Sequence, residues 1–310
     1  MAYLGLLFNA LVWGLSWWPL RELQAMGLHP VWATGCFFLV GLLVLLVTRR
    51  EALGMVLSQP WLWALALAAG STNAAFNWAV SIGDVVRVVL LFYLMPLWAV
   101  LLARVLLGEA ISTGALARIA LALLGAGLVL RPAEGGWPTF HGLADVLGVL
   151  GGFGFALNNV LLRKQAHVPS SARALAMFAG GLTLPTVLGV VLSVQGSIPG
   201  WPVPAWGWVL GALAMGLLFF ASNVALQKGA AQLPVAVTSV IMLTEVVFAT
   251  GSSVLAGEAQ LTVLTLTGGA MILAASLMSA LAEANEGSPL PDPEALASIT
   301  QGSGSDRPQP

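Results

Sequence analysis

Long runs of apolar residues recur along almost the whole chain, and each is about as long as the 20 residues that a helix needs to cross a bilayer. Charged residues make up only 8 % of the sequence, whereas a soluble domain carries about 25 %. A surface so poor in charge does not keep a protein soluble in water. The sequence therefore predicts an all-α polytopic membrane protein.

Breaker residues such as proline and glycine divide the apolar runs into ten predicted spans. The first run lacks the basic segment and the small-residue cleavage site of a signal peptide, so it is interpreted as a span. Residues 283–310 are rich in glycine, serine and proline and predict a disordered cytoplasmic tail. The predicted spans are residues 3–20, 30–48, 61–82, 85–107, 113–131, 142–162, 173–195, 205–227, 234–256 and 261–281.

The distribution of lysine and arginine predicts how the chain is oriented in the membrane. With the N-terminus in the cytoplasm, eight of these residues lie at cytoplasmic span ends and three at the opposite ends. Cytoplasmic segments of membrane proteins carry the excess of positive charge. We therefore expect a multi-pass protein of the inner (plasma) membrane with both termini in the cytoplasm.

A short motif occurs twice at corresponding places. Residues 106–110 read LLGEA and residues 255–259 read LAGEA, 149 positions later, and each motif follows a long apolar run. This offset predicts two five-helix repeats, residues 1–132 and 133–282. An odd number of spans per repeat inverts the second repeat in the membrane, a plan typical of secondary transporters. We expect each Gly to end a helix and each Glu to favour the helix that follows.

The two halves, each with Gly-Glu after its fourth span, resemble the drug/metabolite transporter superfamily in its EamA-type branch. Members typically have proline in the fourth span and Glu-Pro in the ninth; here Pro96 and Glu245 are 149 residues apart, but Val246 follows the glutamate. The aromatic-rich inner helices look most like those of the aromatic amino-acid exporters. The resemblance implies a transporter that is not an enzyme.

Polar side chains inside the spans mark the interior, because lipid offers them no partners. The 149-residue offset aligns Asn9 with Asn158 and Asn73 with Ser222. Amides can bind both the amino and the carboxylate group of a zwitterion. Hydrogen bonding between helices would favour asparagine equally well. The predicted substrate-binding residues are Asn9, Trp13, Trp17, Asn73, Asn77, Trp78, Tyr93, Asn158, Asn159, Ser222 and Asn223.

The aromatic members of this set have two interpretations. Trp13 and Trp17 share a helical face with Asn9, and Trp78 and Tyr93 lie in the third and fourth spans. Aromatic walls with a few polar anchors suit a substrate with a planar apolar side chain. The same residues can simply pack against neighbouring helices.

Glu245 is the only acid near the centre of a predicted span. Inserting a charged carboxylate at the centre of a membrane helix costs at least about 2.5 kcal/mol of free energy, so an acid at this position indicates a specific role. It can couple transport to protons or hold the amine of a substrate. The alternative is a structural acid, protonated and hydrogen-bonded to a neighbouring span.

The remaining polar and small residues predict supporting roles. Arg87, at the start of the fourth span, can attract anions, but snorkelling or a local pair with Asp84 is the simpler interpretation. The fifth and tenth spans consist mostly of Ala, Gly and Leu and predict packing or a subunit contact, with no role in substrate binding.

No motif for catalysis, ATP binding, a metal or another cofactor occurs in the spans, and a net charge of −1 gives no footprint for nucleic acid. No Lys or Arg lies deep in a span, which disfavours phosphorylated substrates. The sequence favours a secondary transporter that exports amino acids, preferably aromatic ones, by alternating access. Exporters of other metabolites or drugs, and a membrane scaffold, are the alternatives. The expected partners are the substrate and the bilayer, with the protein as a monomer or weak homodimer.

Overall fold

The structure is a computed structural model that describes residues 1–132, 135–259 and 261–286, and every regular element in them is an α-helix. The predicted tail beyond residue 286 and the junction at residues 133–134 lie outside the described residues. The first half contains α1 (Ala2–Gly14), α2 (Trp17–Ala25), α3 (Pro30–Thr48), α4 (Ala52–Ser58), α5 (Pro60–Ile82), α6 (Val85–Phe92), α7 (Met95–Leu106) and α8 (Thr113–Val129). The second half contains α9 (Leu143–Lys164), α10 (Ser170–Val194), α11 (Trp206–Ala230), α12 (Val235–Met242), α13 (Thr244–Leu255) and α14 (Val263–Glu286).

Seven helical stretches in the described residues are long and apolar enough to cross a membrane. An eighth results if α4 and α5, which bend by 96° at their junction, are counted together. The first predicted span is interrupted between α1 and α2, and α8 has only 17 residues, so neither reaches that length. The structure therefore supports a multi-pass membrane protein, and the ten-span inverted repeat stays a prediction.

Helix α5 defines the two ends of the bundle. Near its start, the Lys164 ammonium lies 4.0 Å from the Trp61 ring centre and donates to the carbonyl of Leu106. Just after its last residue, the Arg21 guanidinium donates to the carbonyl of Gly83 at 2.6 Å. The 23 residues of α5 span about 35 Å at 1.5 Å per residue, enough to cross the hydrocarbon core. We call these the Lys164 end and the Arg21 end.

Two helical stretches are broken halfway across the bundle. Helix α6 ends at Phe92 and α7 begins at Met95, with Pro96 in its first turn, where a missing N–H costs nothing. Helix α12 ends at Met242 and α13 begins at Thr244. The two breaks meet, because the Tyr93 hydroxyl donates to the carbonyl of Met242 at 3.5 Å, 149 residues away. Discontinuous helices of this kind surround the substrate sites of many transporters.

The duplicated Gly-Glu turns end α7 and α13 in the same way. Gly108 and Gly257 have φ of 76° and 75°, in the left-handed region that favours glycine at a helix C-terminus. This confirms the predicted capping role of the glycines. The glutamates do more than favour the next helix: Glu109 lies 2.5 Å from Arg163, and Glu258 lies 2.6 Å from Arg21. Each ion pair therefore joins one half of the chain to the other.

Glycines allow the two halves to approach closely. A Cβ atom on Gly180 of α10 would lie 1.8 Å from the carbonyl oxygen of Ala66 on α5, and one on Gly70 would lie 2.4 Å from the Gly180 oxygen. Helices α8 and α14 make a similar reciprocal contact through Gly125 and Gly268. The small-residue faces of the fifth and tenth predicted spans therefore pack on each other within one chain.

A buried ion pair also links the halves. The Arg87 side chain lies 2.8 Å from Asp145 and donates to the carbonyls of Val129 and Thr139. Only 13 % of the arginine side chain and 5 % of the aspartate side chain are exposed. The predicted local pair with Asp84 is wrong, because that carboxylate instead accepts from the backbone N–H of Arg87 and caps α6.

Candidate functional site

One cavity of about 430 Å³ lies at the centre of the bundle, beside the two helix breaks. Its wall includes Tyr93 and Pro96 at the first break and Met242 and Glu245 at the second. The volume falls within the range of pockets that bind small molecules. We therefore take this cavity as the candidate substrate site.

The cavity extends from the middle of the bundle towards the Lys164 end. Its deepest residue on α13 is Glu245, in the first turn of that helix, whereas on α9 it reaches Arg163, whose side chain is 52 % exposed. The described lining residues of α14 also lie in its C-terminal half, between Ser276 and Ala280. Access is thus from the Lys164 end, the predicted cytoplasmic side.

The Arg21 end is closed by contacts within the first half and between the two halves. The indole N–H of Trp17 donates to the Ser252 hydroxyl at 3.0 Å. The Arg21 guanidinium contacts Glu258 and Gly83 and lies 5.1 Å from the centre of the Trp17 ring. Leu20, one helical turn after Trp17, is fully buried. A substrate can leave through this end only after these contacts separate.

Aromatic rings form one wall of the cavity. The ring centres of Trp13 and Phe76 are 6.3 Å apart, those of Phe76 and Phe92 are 4.8 Å apart, and those of Phe92 and Phe155 are 5.4 Å apart. The tilted arrangement is one that aromatic pairs favour. Such a wall suits the flat apolar part of a substrate.

Three asparagines in the lining donate their amide N–H groups within the protein. Asn73 donates to the Ala69 carbonyl at 2.7 Å, and Asn223 donates to the Phe219 carbonyl at 2.9 Å. Asn9 donates to the Ser222 hydroxyl at 3.3 Å. That hydroxyl already donates to Phe219, so it can only accept from Asn9. The orientation of all three amides is therefore fixed by their partners.

Three other lining residues, Asn158, Thr238 and Ser279, carry a buried polar side-chain atom without a partner among the described residues. The amide oxygen of Asn158 and the hydroxyl of Ser279 are buried, and within the described residues neither has a hydrogen-bond partner. Both residues are more than nine-tenths buried. A buried polar group without a partner is costly, so a ligand that supplies one gains affinity.

Glu245 is the only acidic residue among the described lining residues. Within the described part of the chain, no Lys, Arg or His nitrogen lies within 4.0 Å of its carboxylate. The other charged lining residue, Arg163, is at the mouth and pairs with Glu109 outside the cavity. The carboxylate is thus available to a proton or to a positively charged ligand group.

Most of the predicted site residues meet in this cavity. Those that line it are Asn9, Trp13, Asn73, Tyr93, Asn158, Asn159, Asn223 and Glu245. Four others lie outside its wall: Trp17 is at the closed end, Ser222 accepts from Asn9, Asn77 donates to Thr34 at 3.1 Å, and Trp78 packs on His29.

The tenth predicted span also lines the cavity, although the sequence predicted packing or a subunit contact and no role in substrate binding for it. Ser276 and Ser279 of α14 both line the wall, and Ser276 donates to the carbonyl of Tyr93 at the helix break. Their spacing of three residues puts them on one helical face. This pair of serines was the signal in the sequence that the prediction of a pure packing helix missed.

Exchanging Asn158 for alanine is expected to leave stability almost unchanged but to weaken substrate binding, because its amide oxygen has no partner to lose. Exchanging Asn77 for alanine is expected to cost about 1 kcal/mol of stability, because it removes the hydrogen bond to Thr34. Thermal unfolding in detergent and ligand binding should be measured for both variants. An equal loss of stability in the two would contradict this division of roles.

The sequence of the first half is similar to a known transporter family. Residues 1–131 match the EamA-like transporter family. This match supports the predicted resemblance to the drug/metabolite transporter superfamily and indicates a membrane transporter of small metabolites. It agrees with the prediction that the chain is not an enzyme. No curated protein is significantly similar in sequence.

Solved structures support the fold. Thirteen chains match, and one of them, described as "Crystal structure of protein", aligns with a TM-score of 0.53. The alignment covers 93 % of this chain and 99 % of the other, at 20 % sequence identity. At this identity the likeness concerns the fold alone.

Proposed function

We propose that this protein is a secondary transporter that exports amino acids, preferably aromatic ones, or similar small neutral or zwitterionic metabolites across the inner membrane. The observation that carries the proposal is a central cavity, closed at the Arg21 end, that lies beside two broken helices. Its aromatic wall and its asparagines suit a small molecule with a flat apolar part and a polar end.

The proposed mechanism is alternating access. Substrate enters from the Lys164 end, which the predicted topology places in the cytoplasm, and occupies the cavity between the halves. The contacts of Trp17 with Ser252 and of Arg21 with Glu258 then separate while the Lys164 end closes. The two breaks at mid-depth allow the outer and inner parts of each broken helix to move separately.

The charges in the lining argue against phosphorylated substrates. Among the described lining residues, Arg163 is the only basic one, and its charge is balanced by Glu109. A phosphate group deep in the cavity would instead meet the carboxylate of Glu245. Under this proposal Glu245 has one of two roles: it couples transport to protons, or it pairs with the amine of the substrate.

Export of other small metabolites or drugs is the second candidate, favoured by the apolar character of most of the wall. A scaffold without transport activity is the third candidate. The protein would act as a monomer or as a weak homodimer, with the bilayer and the substrate as its partners.

Transport should be measured with the purified protein in liposomes, using labelled Phe, Trp, Thr and Ala with and without a pH gradient. We expect saturable flux that is greatest for the aromatic amino acids. Flux without saturation would indicate a channel, and no flux of any of the four would contradict the proposal. If Glu245 couples transport to protons, Glu245→Gln removes the response to the pH gradient; an unchanged response excludes this role.

A further inference from the structure

The inner end of the cavity holds an acidic side chain that has no basic partner among the described residues. Glu245 lies beside the helix break, and no cationic side chain in the described residues pairs with it. Arg163 is the only described positive charge in the wall, but it lies at the mouth and is 2.5 Å from Glu109. A carboxylate of a substrate therefore finds no free cation at the inner end, whereas an ammonium group finds an acidic side chain with which it can form an ion pair.

The asparagine amides around the cavity also favour an ammonium group over a carboxylate. Asn73 and Asn223 donate to helix carbonyls, which cannot themselves donate, so the nitrogen must be the atom that faces the backbone. The amide nitrogen of Asn9 likewise donates to the hydroxyl of Ser222. Each nitrogen keeps one further N–H, whereas the amide oxygens of all three side chains are left to accept hydrogen bonds from a ligand and carry partial negative charge.

The rest of the wall also suits a cation with an apolar body. The buried amide oxygen of Asn158 has no donor among the described residues. Trp13, Phe76 and Phe92 line the cavity, and aromatic rings of this kind can attract an ammonium group and pack against a flat ring. An acid, oriented acceptors and aromatic faces are thus brought together in one cavity.

We propose that the cavity selects a primary ammonium group attached to a flat apolar body, and that it does not recognise a substrate carboxylate. A monocationic aromatic amine then binds more tightly than the amino acid of the same skeleton. This inference rests on the proposed function, because it concerns the substrate class of the same site. Glu245 pairs with the ammonium group, and the amide oxygens of Asn73 and Asn223 accept hydrogen bonds from its other N–H groups.

Three ligands that share one skeleton separate the possibilities. Phenethylamine has the amine alone, phenylalanine has both the amine and the carboxylate, and phenylpropionate has the carboxylate alone. Binding to the purified protein should be measured by calorimetry, and counterflow in liposomes should be measured for each ligand without a membrane potential. We expect phenethylamine to bind at least about tenfold more tightly than phenylalanine, and phenylpropionate not to bind.

Variants test whether Glu245 causes the preference for the amine. Glu245→Gln keeps the shape of the side chain and is expected to weaken phenethylamine binding at least about tenfold. Glu22→Gln is the matched control, because Glu22 lies on the exposed surface of α2 and outside the cavity wall. If Glu245→Gln does not fold, the comparison of the three ligands on the unmodified protein decides the question alone.

The outcomes distinguish this inference from the proposed function. Phenylalanine binding as tightly as phenethylamine, or Glu245→Gln keeping the preference for the amine, overturns the inference and leaves an amino-acid exporter standing. Binding and counterflow of none of the three ligands overturns the proposed function and the inference with it. Preference for the amine that is lost in Glu245→Gln and kept in Glu22→Gln supports both.

Discussion

Replacing Gly180 with alanine is expected to cost about 3 kcal/mol of stability or more, because the new methyl group overpacks the contact between α5 and α10. Its Cβ atom would lie 1.8 Å from the Ala66 carbonyl oxygen and 2.4 Å from the carbonyl carbon. These are backbone atoms, so a side-chain rotation cannot relieve the clash. The two helices must move apart, and they belong to different halves of the chain.

Gly251 is the matched control for this variant. It lies inside α13, and a Cβ atom there would meet no atom within 4 Å. Alanine favours a helix over glycine by about 1 kcal/mol, so Gly251→Ala should be neutral or slightly stabilising. The midpoint of thermal unfolding in detergent should be compared for the two variants. A Gly180→Ala protein as stable as Gly251→Ala would mean that α5 and α10 are not in close contact.

Replacing Asp145 with asparagine is expected to destabilise the protein by about 3–5 kcal/mol, because it leaves Arg87 charged and buried without its partner. The arginine side chain is only 13 % exposed, and its guanidinium makes two further hydrogen bonds, to Val129 and Thr139. These two hydrogen bonds hold the Arg87 guanidinium in place, so it cannot turn towards water when asparagine replaces the aspartate.

A double variant and a surface pair provide the controls. Replacing both partners, as Arg87→Met with Asp145→Asn, should cost less than the sum of the single changes, because no buried charge remains. Glu109→Gln removes the partner of Arg163 in a pair whose side chains are 45 % and 52 % exposed. An exposed pair contributes at most about 1 kcal/mol, so this variant should unfold close to the unmodified protein. If the loss of stability in the double variant equals the sum of the two single losses, Arg87 and Asp145 are not coupled.

The parts of the fold that follow from local pattern could be predicted from the sequence. Apolar runs with few charges predict membrane-spanning helices because lipid leaves the backbone no other partners. The duplicated motif at Gly108 and Gly257 predicts two helix ends with left-handed glycines, and both occur. The same offset brought attention to Pro96 and Glu245, which lie just after the two helix breaks.

The predictions that failed depended on continuity or on distant partners. Trp13 and Trp17 share a face only if their helix is unbroken; the break at residues 15–16 separates them, and Trp17 instead contacts Ser252 at the closed end. Arg87 was expected either to snorkel or to pair with its near neighbour Asp84. Its true partner is 58 residues away, because α6 packs on α9, and no local pattern in the sequence records that contact.

The pairing of Arg87 has a consequence for how the chain is made. Synthesis delivers Arg87 first, and the aspartate that neutralises it follows 58 residues later, after the junction between the halves. Until then the arginine is a charge without its partner, which disfavours its burial in the bundle. Residues 1–131, although they match a family by themselves, are therefore an unfinished structure on the ribosome. Insertion of the first turn of α9 supplies the missing partner of Arg87.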